Sequence, residues 1–416
     1  MKPILVIGGG IAGMTTAIEA AEAGCEVILV EKAPGLGGRV ARMNQYFPKL
    51  CPPACGLEIN YRRIRNSGRI QVLTQAEVEG ITRRAQDYQA AVKVTPRYVT
   101  EACTLCGACA EVCPAERADD SNFGLSKTKA AYLPGGATFP ATYVIDRIAC
   151  QQGCRACVEA CKYGAVDLNQ QTERRTFQVA AVVAATGWAP YDASKIDNLG
   201  FGKHANVVTN VILERLAASD GPTGGKILRP SDGKAPETVA FVQCAGSRDE
   251  NHLPYCSAVC CAASLKQATY IRALYPDAKI VIFYIDIRTP GRLEDFYVKV
   301  AADEKIQLIK GKAAKVEENP GTGDLLVTAE DALSGKKTTL RAGLVVLATG
   351  IVPQTSGLPA GFLRDEFGFL SQPPESEGLY GVGCARRPGE VSSTVQEATG
   401  AALKALQCAA RSVRHG

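Results

Sequence analysis

The chain has 416 residues, of which 46% are hydrophobic and 21% are charged, and its formal net charge is +5. That length allows about two or three domains with a sizeable core, and so small an excess of positive charge does not indicate a nucleic-acid partner. The sequence has no apolar run near the roughly 18–20 residues that cross a bilayer, and its start, MKPILVIGGG, lacks the pattern of a signal peptide. We therefore expect a reducing cytoplasm, in which the 17 cysteines bind metal clusters rather than form disulfides.

The N-terminal segment predicts a strand–helix–strand unit that binds a dinucleotide. The apolar run PILVI is followed by GGGIAGMTTAIEAAEAG, with glycines in G-x-G-x-x-G register, and then by a second strand, CEVILVEK. Glycines let a pyrophosphate approach the helix N-terminus, while an acid at the end of the second strand binds ribose hydroxyls. The alternative is a glycine-rich loop that packs only against protein. The expected cofactor contacts here are Gly8, Gly10, Gly13, Glu31, Lys32, Gly38 and Arg39.

Two cysteine runs, CTLCGACAEVC and CQQGCRACVEAC, predict iron–sulfur clusters. The first has the spacing C-x2-C-x2-C-x3-C followed by proline, which is the ligand run of a bacterial [4Fe–4S] ferredoxin. The second repeats it with one extra residue in the first gap and Lys162 where a proline is usual. Disulfides are disfavoured without a secretory signal, and a zinc knuckle uses two separated cysteine pairs.

In ferredoxins the fourth cysteine of each run binds the cluster of the other run. One cluster would then be held by Cys103, Cys106, Cys109 and Cys161. The other would be held by Cys150, Cys154, Cys157 and Cys113. The extra residue between Cys150 and Cys154 makes the second set the less conventional one.

Two apolar strands end in the same tripeptide, in AAVVAATGW at 180–188 and in AGLVVLATG at 342–350. This repetition is typical of flavoproteins with two dinucleotide-binding domains. The sequence thus predicts an α/β, Rossmann-like and thioredoxin-reductase-like flavoprotein with an inserted two-cluster ferredoxin domain. Residues expected at FAD in the two turns are Ala185, Thr186, Gly187 and Gly350. The expected boundaries are 1–96, 169–236 and 342–416 for the FAD-binding domain and its connection, 97–168 for the ferredoxin domain and 237–341 for the second Rossmann-like domain.

The second domain lacks the glycine fingerprint after its first strand, TVAFVQC. The sequence there is QCAGSRDENH, which argues against a direct NAD(P)H site. A third cysteine group takes its place, formed by Cys244, Cys256, Cys260 and Cys261 with the spacing C-x11-C-x3-C-C. No common motif has this spacing. The residues alone therefore leave two alternatives open, a third cluster and buried structural cysteines.

Cys51 and Cys55, in LCPPACG, form a further pair. Disulfide reductases carry a redox-active pair at a similar position, with a gap of four residues. Here the gap is three and contains two prolines, which disfavour a helical dithiol. We therefore favour a structural role or an accessory cluster contact over a dithiol/disulfide centre.

The C-terminal stretch LYGVGCARRPGEVSSTVQEATGAALKAL predicts a strand, a glycine turn and a final helix. In two-domain flavoproteins such a helix directs its N-terminus at the flavin ring, where its dipole favours negative charge. Gly383, Cys384 and Thr394 are the expected contacts.

Together these motifs resemble the A subunits of heterodisulfide reductases. The resemblance covers nearly the whole chain: the FAD fingerprint, the inserted ferredoxin, the QCAGSRD…YC…CC segment and the C-terminal glycine turn. In that family the cysteines corresponding to the third group hold a [4Fe–4S] cluster, which implies a third cluster here. The resemblance also implies that electron transfer runs through cofactors, with no catalytic side chain.

Within this family, the pattern is similar to the A subunits of quinone-interacting membrane-bound oxidoreductase (Qmo) complexes. It starts at the Rossmann strand, stops after the last helix and contains the ferredoxin insert. That similarity implies a cytoplasmic subunit held at the membrane by a haem-bearing membrane subunit together with a second flavin/iron–sulfur subunit. It implies electron exchange between the menaquinone pool and adenylylsulfate (APS) reductase. The alternatives are a heterodisulfide-reductase-type subunit that bifurcates electrons with ferredoxin or disulfide partners, a self-contained NAD(P)H reductase, and a non-catalytic relay.

Overall fold

The computed structural model of the chain describes residues 1–135, 138–372 and 377–414, with side chains up to residue 411. The chain forms two compact units, Met1–Trp188 with Pro353–Gly416, and Ala189–Val352. It crosses between them in the short strands Trp188–Pro190 and Ile351–Pro353. In the described part of the chain, no helix is both long enough and apolar enough to cross a membrane.

A five-stranded parallel sheet forms the centre of the first unit. Its strands, in spatial order, are Leu379–Gly381, Ala181–Ala184, Ile4–Ile7, Val27–Val30 and Ile70–Leu73. The three inner strands are entirely apolar and buried, because layers cover both faces of the sheet. The helices on one face are Ile11–Glu22, Pro53–Asn66 and Val391–Arg414.

The other face packs against an antiparallel sheet, with strands in the order Glu173–Val179, Asp87–Val94 and Ala76–Arg84. Alternate side chains of the strand Ile4–Ile7 pack against the two different layers. Ile4 and Val6 contact the helical layer, while Leu5 and Ile7 contact the antiparallel sheet.

The segment with the two cysteine runs lies between two neighbouring strands of this antiparallel sheet, Asp87–Val94 and Glu173–Val179. Its elements are the one-turn helices Ala108–Glu111 and Ala156–Glu159 and the strand pairs Glu116–Ala118 with Lys127–Lys129 and Ala131–Tyr132 with Val144–Ile145. Its small core includes three of its own cysteines, Cys109, Cys113 and Cys157.

A second parallel sheet forms the centre of the second unit. Its strands, in spatial order, are Val207–Thr209, Leu344–Thr349, Thr238–Ala245, Lys279–Tyr284 and Ile306–Lys310. Its helices are Asn210–Ala217, Cys260–Leu274 and Leu293–Ala301. An antiparallel sheet of Ala313–Glu318, Leu325–Glu330 and Lys337–Ala342 shares its core. Among the described residues, the single turns of 3₁₀ helix are Val40–Arg42, Asp120–Asn122, Ala193–Lys195, Asp197–Leu199 and Gly383–Ala385.

The strand at 344–349 lies in a different sheet from the one that the sequence suggested. We expected residues 342–416 to belong to the FAD-binding domain. Instead, Leu344–Thr349 is hydrogen-bonded between Val207–Thr209 and Thr238–Ala245 in the second unit. The two strands that end in Ala-Thr-Gly occupy equivalent positions in two similar sheets. Their similar sequences therefore do not place them in the same sheet. The expected boundaries at 236 and 341 therefore move to the crossings near 188 and 352.

Candidate cofactor sites

A glycine cradle joins the first strand of the chain to its first helix. Gly8 has a φ of +109°, and a Cβ on it would lie 2.4 Å from the carbonyl oxygen of Ala185. A Cβ on Gly13 would lie 1.8 Å from the carbonyl oxygen of Gly8. The helix starts at Ile11, and Gly10 caps it without a side chain. This leaves the first N–H groups of the helix open to an anion such as a pyrophosphate.

Glu31 lies directly beside this cradle. Its Oε2 accepts a hydrogen bond from the Gly9 N–H at 2.5 Å, and its Oε1 accepts one from the Ala33 N–H at 2.7 Å. Burial raises the pKa of Glu31, and these two donors offset part of that rise. Lys32, by contrast, is exposed and pairs with Glu77 at 2.7 Å. Its ammonium is therefore not held at the cradle.

The segment after the second strand approaches the same turn. A Cβ on Gly38 would lie 2.9 Å from Gly10 Cα. Arg39 donates from Nε to the Trp188 carbonyl oxygen at 2.5 Å, and its guanidinium lies 4.9 Å from the centre of the Trp188 ring. Burial lowers the pKa of Arg39 to about 10. Sequence reasoning missed Trp188, although it directly follows the Ala-Thr-Gly turn.

That turn carries a polar atom that needs a partner. Thr186 Oγ1 is buried and has no hydrogen-bond partner among the described residues. A buried hydroxyl without a partner is costly, so a bound ligand that completes its hydrogen bonding fits the observed site. Gly187 follows with a φ of +72° and accepts a hydrogen bond from Gln354 N–H at 3.0 Å.

The C-terminal glycine turn reaches the first helix of the cradle. A Cβ on Gly383 would lie 3.1 Å from both Ala12 Cβ and Thr394 Cγ2. The Gly383 N–H donates to Glu397 Oε2 at 2.7 Å. Burial raises the pKa of Cys384 to about 11. Gly383 thus lies close to Ala12 in the helix that starts at the cradle, and Thr394 lies beside Gly383.

Gly350 lies elsewhere. It belongs to the second unit, where a Cβ would lie 2.3 Å from Ser247 Oγ and 2.8 Å from Ser257 Oγ. Those serines line a pocket at the third cysteine group. The structure therefore associates Gly350 with that group, whereas the other expected FAD contacts lie in the first unit.

In the cysteine-run segment, one pocket is lined by three cysteines of the first run and the last cysteine of the second: Cys103, Cys106, Cys109 and Cys161. Burial raises the pKa of Cys109 to about 11. Burial also acts to raise the pKa of Cys161, but backbone N–H donors outweigh it and the pKa falls, with Ala165 N at 3.3 Å from Sγ. Such N–H···S bonds stabilise a cluster-bound thiolate.

A second pocket is lined by the reciprocal set, Cys113, Cys150, Cys154 and Cys157. Arg147 Nη1 lies 3.5 Å from Cys150 Sγ. The extra residue of this run is accommodated by Gly153, whose φ of +76° turns the chain back within the CQQGC segment. The unconventional spacing is therefore compatible with four cysteines at one pocket.

The third cysteine group lines a pocket in the second unit. Cys244 lies at the end of the strand Thr238–Ala245, and Cys260 and Cys261 open the helix Cys260–Leu274. Cys256 completes the lining together with Arg248, Asp286 and Arg288. Burial raises the pKa of Cys244, Cys260 and Cys261. A metal that coordinates such thiols removes their protons.

The backbone around this third pocket is strained. Cys244, Arg248 and Ala258 have φ values of 55°, 57° and 61°, in the left-handed region that side chains disfavour. Each such residue costs of order 1–3 kcal/mol, and this strain concentrates at functional sites. All three residues line the third pocket, so this strained backbone lies at the candidate site.

Among the described residues, no three His, Cys, Asp or Glu side chains are close enough to share a single metal ion. Each of the three pockets is instead lined by four thiols. Its donor set fits a thiolate-ligated iron–sulfur cluster.

Cys51 and Cys55 lie outside these three pockets. Cys51 precedes the helix Pro53–Asn66, and Cys55 lies in its first turn and is exposed. Tyr46 is close to both: burial raises its pKa, and the two thiols add to the rise. Their role stays a prediction.

Arg97 connects the cysteine-run segment to the loop that follows Glu31. It donates to the Pro34 carbonyl oxygen in that loop and to the carbonyl oxygens of Thr142, at 2.9 Å, and Tyr143, at 3.1 Å. Burial lowers the pKa of Arg97 to about 10. Sequence reasoning missed this residue, because an isolated arginine in VTPRYVT gives no pattern.

Two family models match parts of the chain. Residues 6–56 match the NAD(P)-binding Rossmann-like domain, and residues 96–116 match the 4Fe-4S binding domain. They confirm the predicted dinucleotide-binding unit and the predicted iron–sulfur domain.

Curated relatives align with 96% of the chain. One is the A subunit of the H(2):CoB-CoM heterodisulfide,ferredoxin reductase of Methanothermobacter thermautotrophicus, 37% identical over 417 residues. Another is an iron-sulfur A subunit of the CoB--CoM heterodisulfide reductase of Methanopyrus kandleri, 38% identical over 417 residues. The chain spans 63% of the length of both relatives.

Solved structures show the same fold at low sequence identity. Thioredoxin reductase from Lactococcus lactis superposes with a TM-score of 0.56 at 12% identity, covering 99% of this chain and 100% of that one. The thioredoxin reductase of T. acidophilum gives a TM-score of 0.52 at 15% identity, covering 97% of each. These likenesses confirm the predicted two-domain, thioredoxin-reductase-like α/β architecture.

Proposed function

We propose that this chain, a homologue of heterodisulfide reductase A subunits over 96% of its length, is the FAD- and iron–sulfur-binding electron-transfer subunit of a cytoplasm-facing oxidoreductase complex. The observation that carries the proposal is the set of three pockets, each lined by four cysteines, in a chain that also has a glycine cradle. When bound, FAD supplies two-electron chemistry and each cluster supplies one-electron chemistry.

The first unit supplies the groups that would hold FAD. The open N–H groups at the start of the helix Ile11–Glu22 would bind the pyrophosphate, and Glu31 would accept hydrogen bonds from ribose hydroxyls. Thr186, with its unpartnered hydroxyl, and Gly383 follow the two neighbouring strands Ala181–Ala184 and Leu379–Gly381. These residues bind and orient the cofactor, and no side chain is assigned a catalytic role.

The cysteines would hold three [4Fe–4S] clusters. Each of the two cysteine runs contributes its last residue, Cys113 or Cys161, to the pocket of the other run. The third set is Cys244, Cys256, Cys260 and Cys261. The chain would exchange electrons with partner proteins through these centres.

We infer that the partners are those of a Qmo complex. They would be a second flavin/iron–sulfur subunit, a haem-bearing membrane subunit that reaches menaquinone, and APS reductase. The chain would then be attached to the membrane only through its partners. This inference rests on the sequence resemblance alone.

A second candidate is a heterodisulfide-reductase-type subunit that bifurcates electrons with ferredoxin and disulfide partners. The names of the aligned relatives favour it, since one belongs to a heterodisulfide,ferredoxin reductase. Because the chain spans only 63% of that relative, the activity of the whole relative is not transferred directly.

Purification of the native complex through a tag on this chain separates the two candidates. Co-purification of a haem-bearing membrane subunit, together with menaquinol oxidation coupled to APS reductase, supports the Qmo assignment. Co-purification of disulfide-reducing subunits, with activity on ferredoxin and a disulfide, supports the second candidate. Fewer than two cubane clusters per chain, by iron and sulfide analysis with EPR, would contradict the shared proposal.

A further inference from the structure

Two arginines, Arg248 and Arg288, line the third cysteine pocket, whereas no arginine or lysine of the described residues lines either of the other two cysteine pockets. We propose that Arg248 and Arg288 raise the reduction potential of a cluster bound there, so that the third pocket holds the electron-accepting cluster of the chain. This inference rests on the proposed function, because it requires the third cluster.

Both arginines line the third pocket beside its four cysteines. Hydrogen bonds to ligand sulfurs and nearby positive charge both raise a cluster's potential, because the cluster gains one negative charge on reduction. Two guanidinium groups beside the four cysteines therefore stabilise the reduced form of a cluster bound there.

Asp286 fixes the two guanidinium groups in place. It forms an ion pair with Arg248 and another with Arg288, the second at 3.2 Å. One carboxylate against two guanidinium groups leaves a net positive charge at the pocket wall. Arg248 is only about one quarter exposed, so solvent screens its charge only in part.

The helix Cys260–Leu274 acts in the same direction. Its first two residues are the cluster-lining Cys260 and Cys261. The N-terminal end of a helix carries partial positive charge, which favours the more negative, reduced state. The pocket therefore combines two guanidinium groups with a helix N-terminus.

The other two pockets differ in their charged contacts. At the second pocket the described residues place one arginine at a sulfur, Arg147 at 3.5 Å from Cys150. At the first pocket, Cys161 accepts instead from the neutral backbone N–H of Ala165. The expected order of potentials therefore places the third cluster highest.

The test is an EPR-monitored redox titration of the 416-residue chain. The signal of the third cluster is identified as the one lost in Cys256→Ser. We expect Arg288→Gln, and separately Arg248→Gln, to lower the reduction potential of that cluster by about 59 mV. For a one-electron couple this is about a tenfold decrease in the equilibrium constant for reduction. Arg288→Lys should keep most of the potential, because it keeps the charge.

Arg292→Gln is the matched control, since Arg292 is an exposed arginine of the same unit that does not line the pocket. Iron analysis of every variant establishes that the cluster is retained. If the Arg248→Gln variant loses its cluster, the potential measured for Arg288→Gln tests the inference, because Arg288 is the more exposed of the two arginines. An unchanged potential in a cluster-loaded Arg288→Gln variant would overturn the inference. Absence of a third EPR signal from the unsubstituted protein would instead overturn the third cluster itself.

Discussion

Glu31 shows how a single residue organises the dinucleotide site. Its two carboxylate oxygens hold the backbone of Gly9 in the cradle and of Ala33 in the following loop. A buried carboxylate costs free energy unless hydrogen bonds compensate it, and burial here raises the pKa of Glu31. The residue therefore remains near the cradle at an energetic cost, which a ligand with hydroxyl donors reduces.

The first prediction concerns Glu31→Gln. The amide is similar in size but loses the charge that strengthens hydrogen bonds to ribose hydroxyls. A hydrogen bond to a charged group contributes about 1.5–3 kcal/mol, so we expect FAD affinity to fall by about 10- to 100-fold. Flavin fluorescence titration of the apoprotein measures it. Glu58→Gln, at an exposed helix position, is the control, and equal FAD affinities of Glu31→Gln and the unsubstituted protein would remove Glu31 from the ribose site.

The second prediction is a pH dependence of the apoprotein. Because the pKa of Glu31 is raised on folding, the native state binds the proton more tightly than the unfolded state does. Its contribution to the free energy of unfolding is then fully present below the ordinary pKa of about 4.3 and is lost as the pH rises through the raised value. Urea unfolding across this range should show the loss in the unsubstituted protein. The difference between that curve and the Glu31→Gln curve should change with pH, and a constant difference would contradict the assignment.

At the scale of elements, the cysteine-run segment is built as two reciprocal halves. Each half gives a one-turn helix, Ala108–Glu111 or Ala156–Glu159, and each sends its last cysteine to the other pocket. Neither pocket is complete within one run. Replacement of the last cysteine of one run should therefore remove one ligand from the pocket of the other run.

The third prediction uses that exchange. In Cys113→Ser, we expect the cluster at Cys150, Cys154 and Cys157 to be lost or altered, while Cys103, Cys106 and Cys109 stay protected from alkylation. Cys161→Ser should give the opposite pattern. Mass spectrometry after iodoacetamide treatment under anaerobic conditions measures which thiols react. Cys55→Ser, an exposed thiol outside the pockets, is the control. Exposure of cysteines in the run that carries the substitution would mean that the clusters do not exchange ligands.

The sequence predicts those elements and sites whose residues lie close together in the chain. The spacing of Cys103 to Cys113 is local, and a family model confirms the iron–sulfur domain there. The strand Leu344–Thr349 was assigned to the wrong sheet, because apolar character does not specify which strands become its neighbours. Arg248 and Arg288 are 40 residues apart in the chain, and only the fold brings both to one pocket.

At the scale of the whole molecule, both units contain a five-stranded parallel sheet, but the segment between a central strand and the following helix differs between them. In the first unit, three residues separate the strand Ile4–Ile7 from the helix Ile11–Glu22, and they are glycines. In the second unit, residues 246–259 separate the strand Thr238–Ala245 from the helix Cys260–Leu274. The position of a phosphate-binding turn in that unit is therefore taken by a cysteine pocket.

The fourth prediction follows from that replacement. Close approach of a pyrophosphate requires a short glycine turn leading directly into a helix N-terminus. In the second unit that N-terminus carries Cys260 and Cys261, whose side chains line the third pocket. We therefore expect NADH and NADPH to leave the visible absorbance of the flavin-loaded chain unchanged under anaerobic conditions, while dithionite bleaches it. Isothermal titration calorimetry should likewise detect no binding of either nucleotide to the flavin-loaded chain. Bleaching by NADH or NADPH before dithionite is added would mean that the chain is a nicotinamide-dependent reductase, with a site that the cysteine pocket does not exclude.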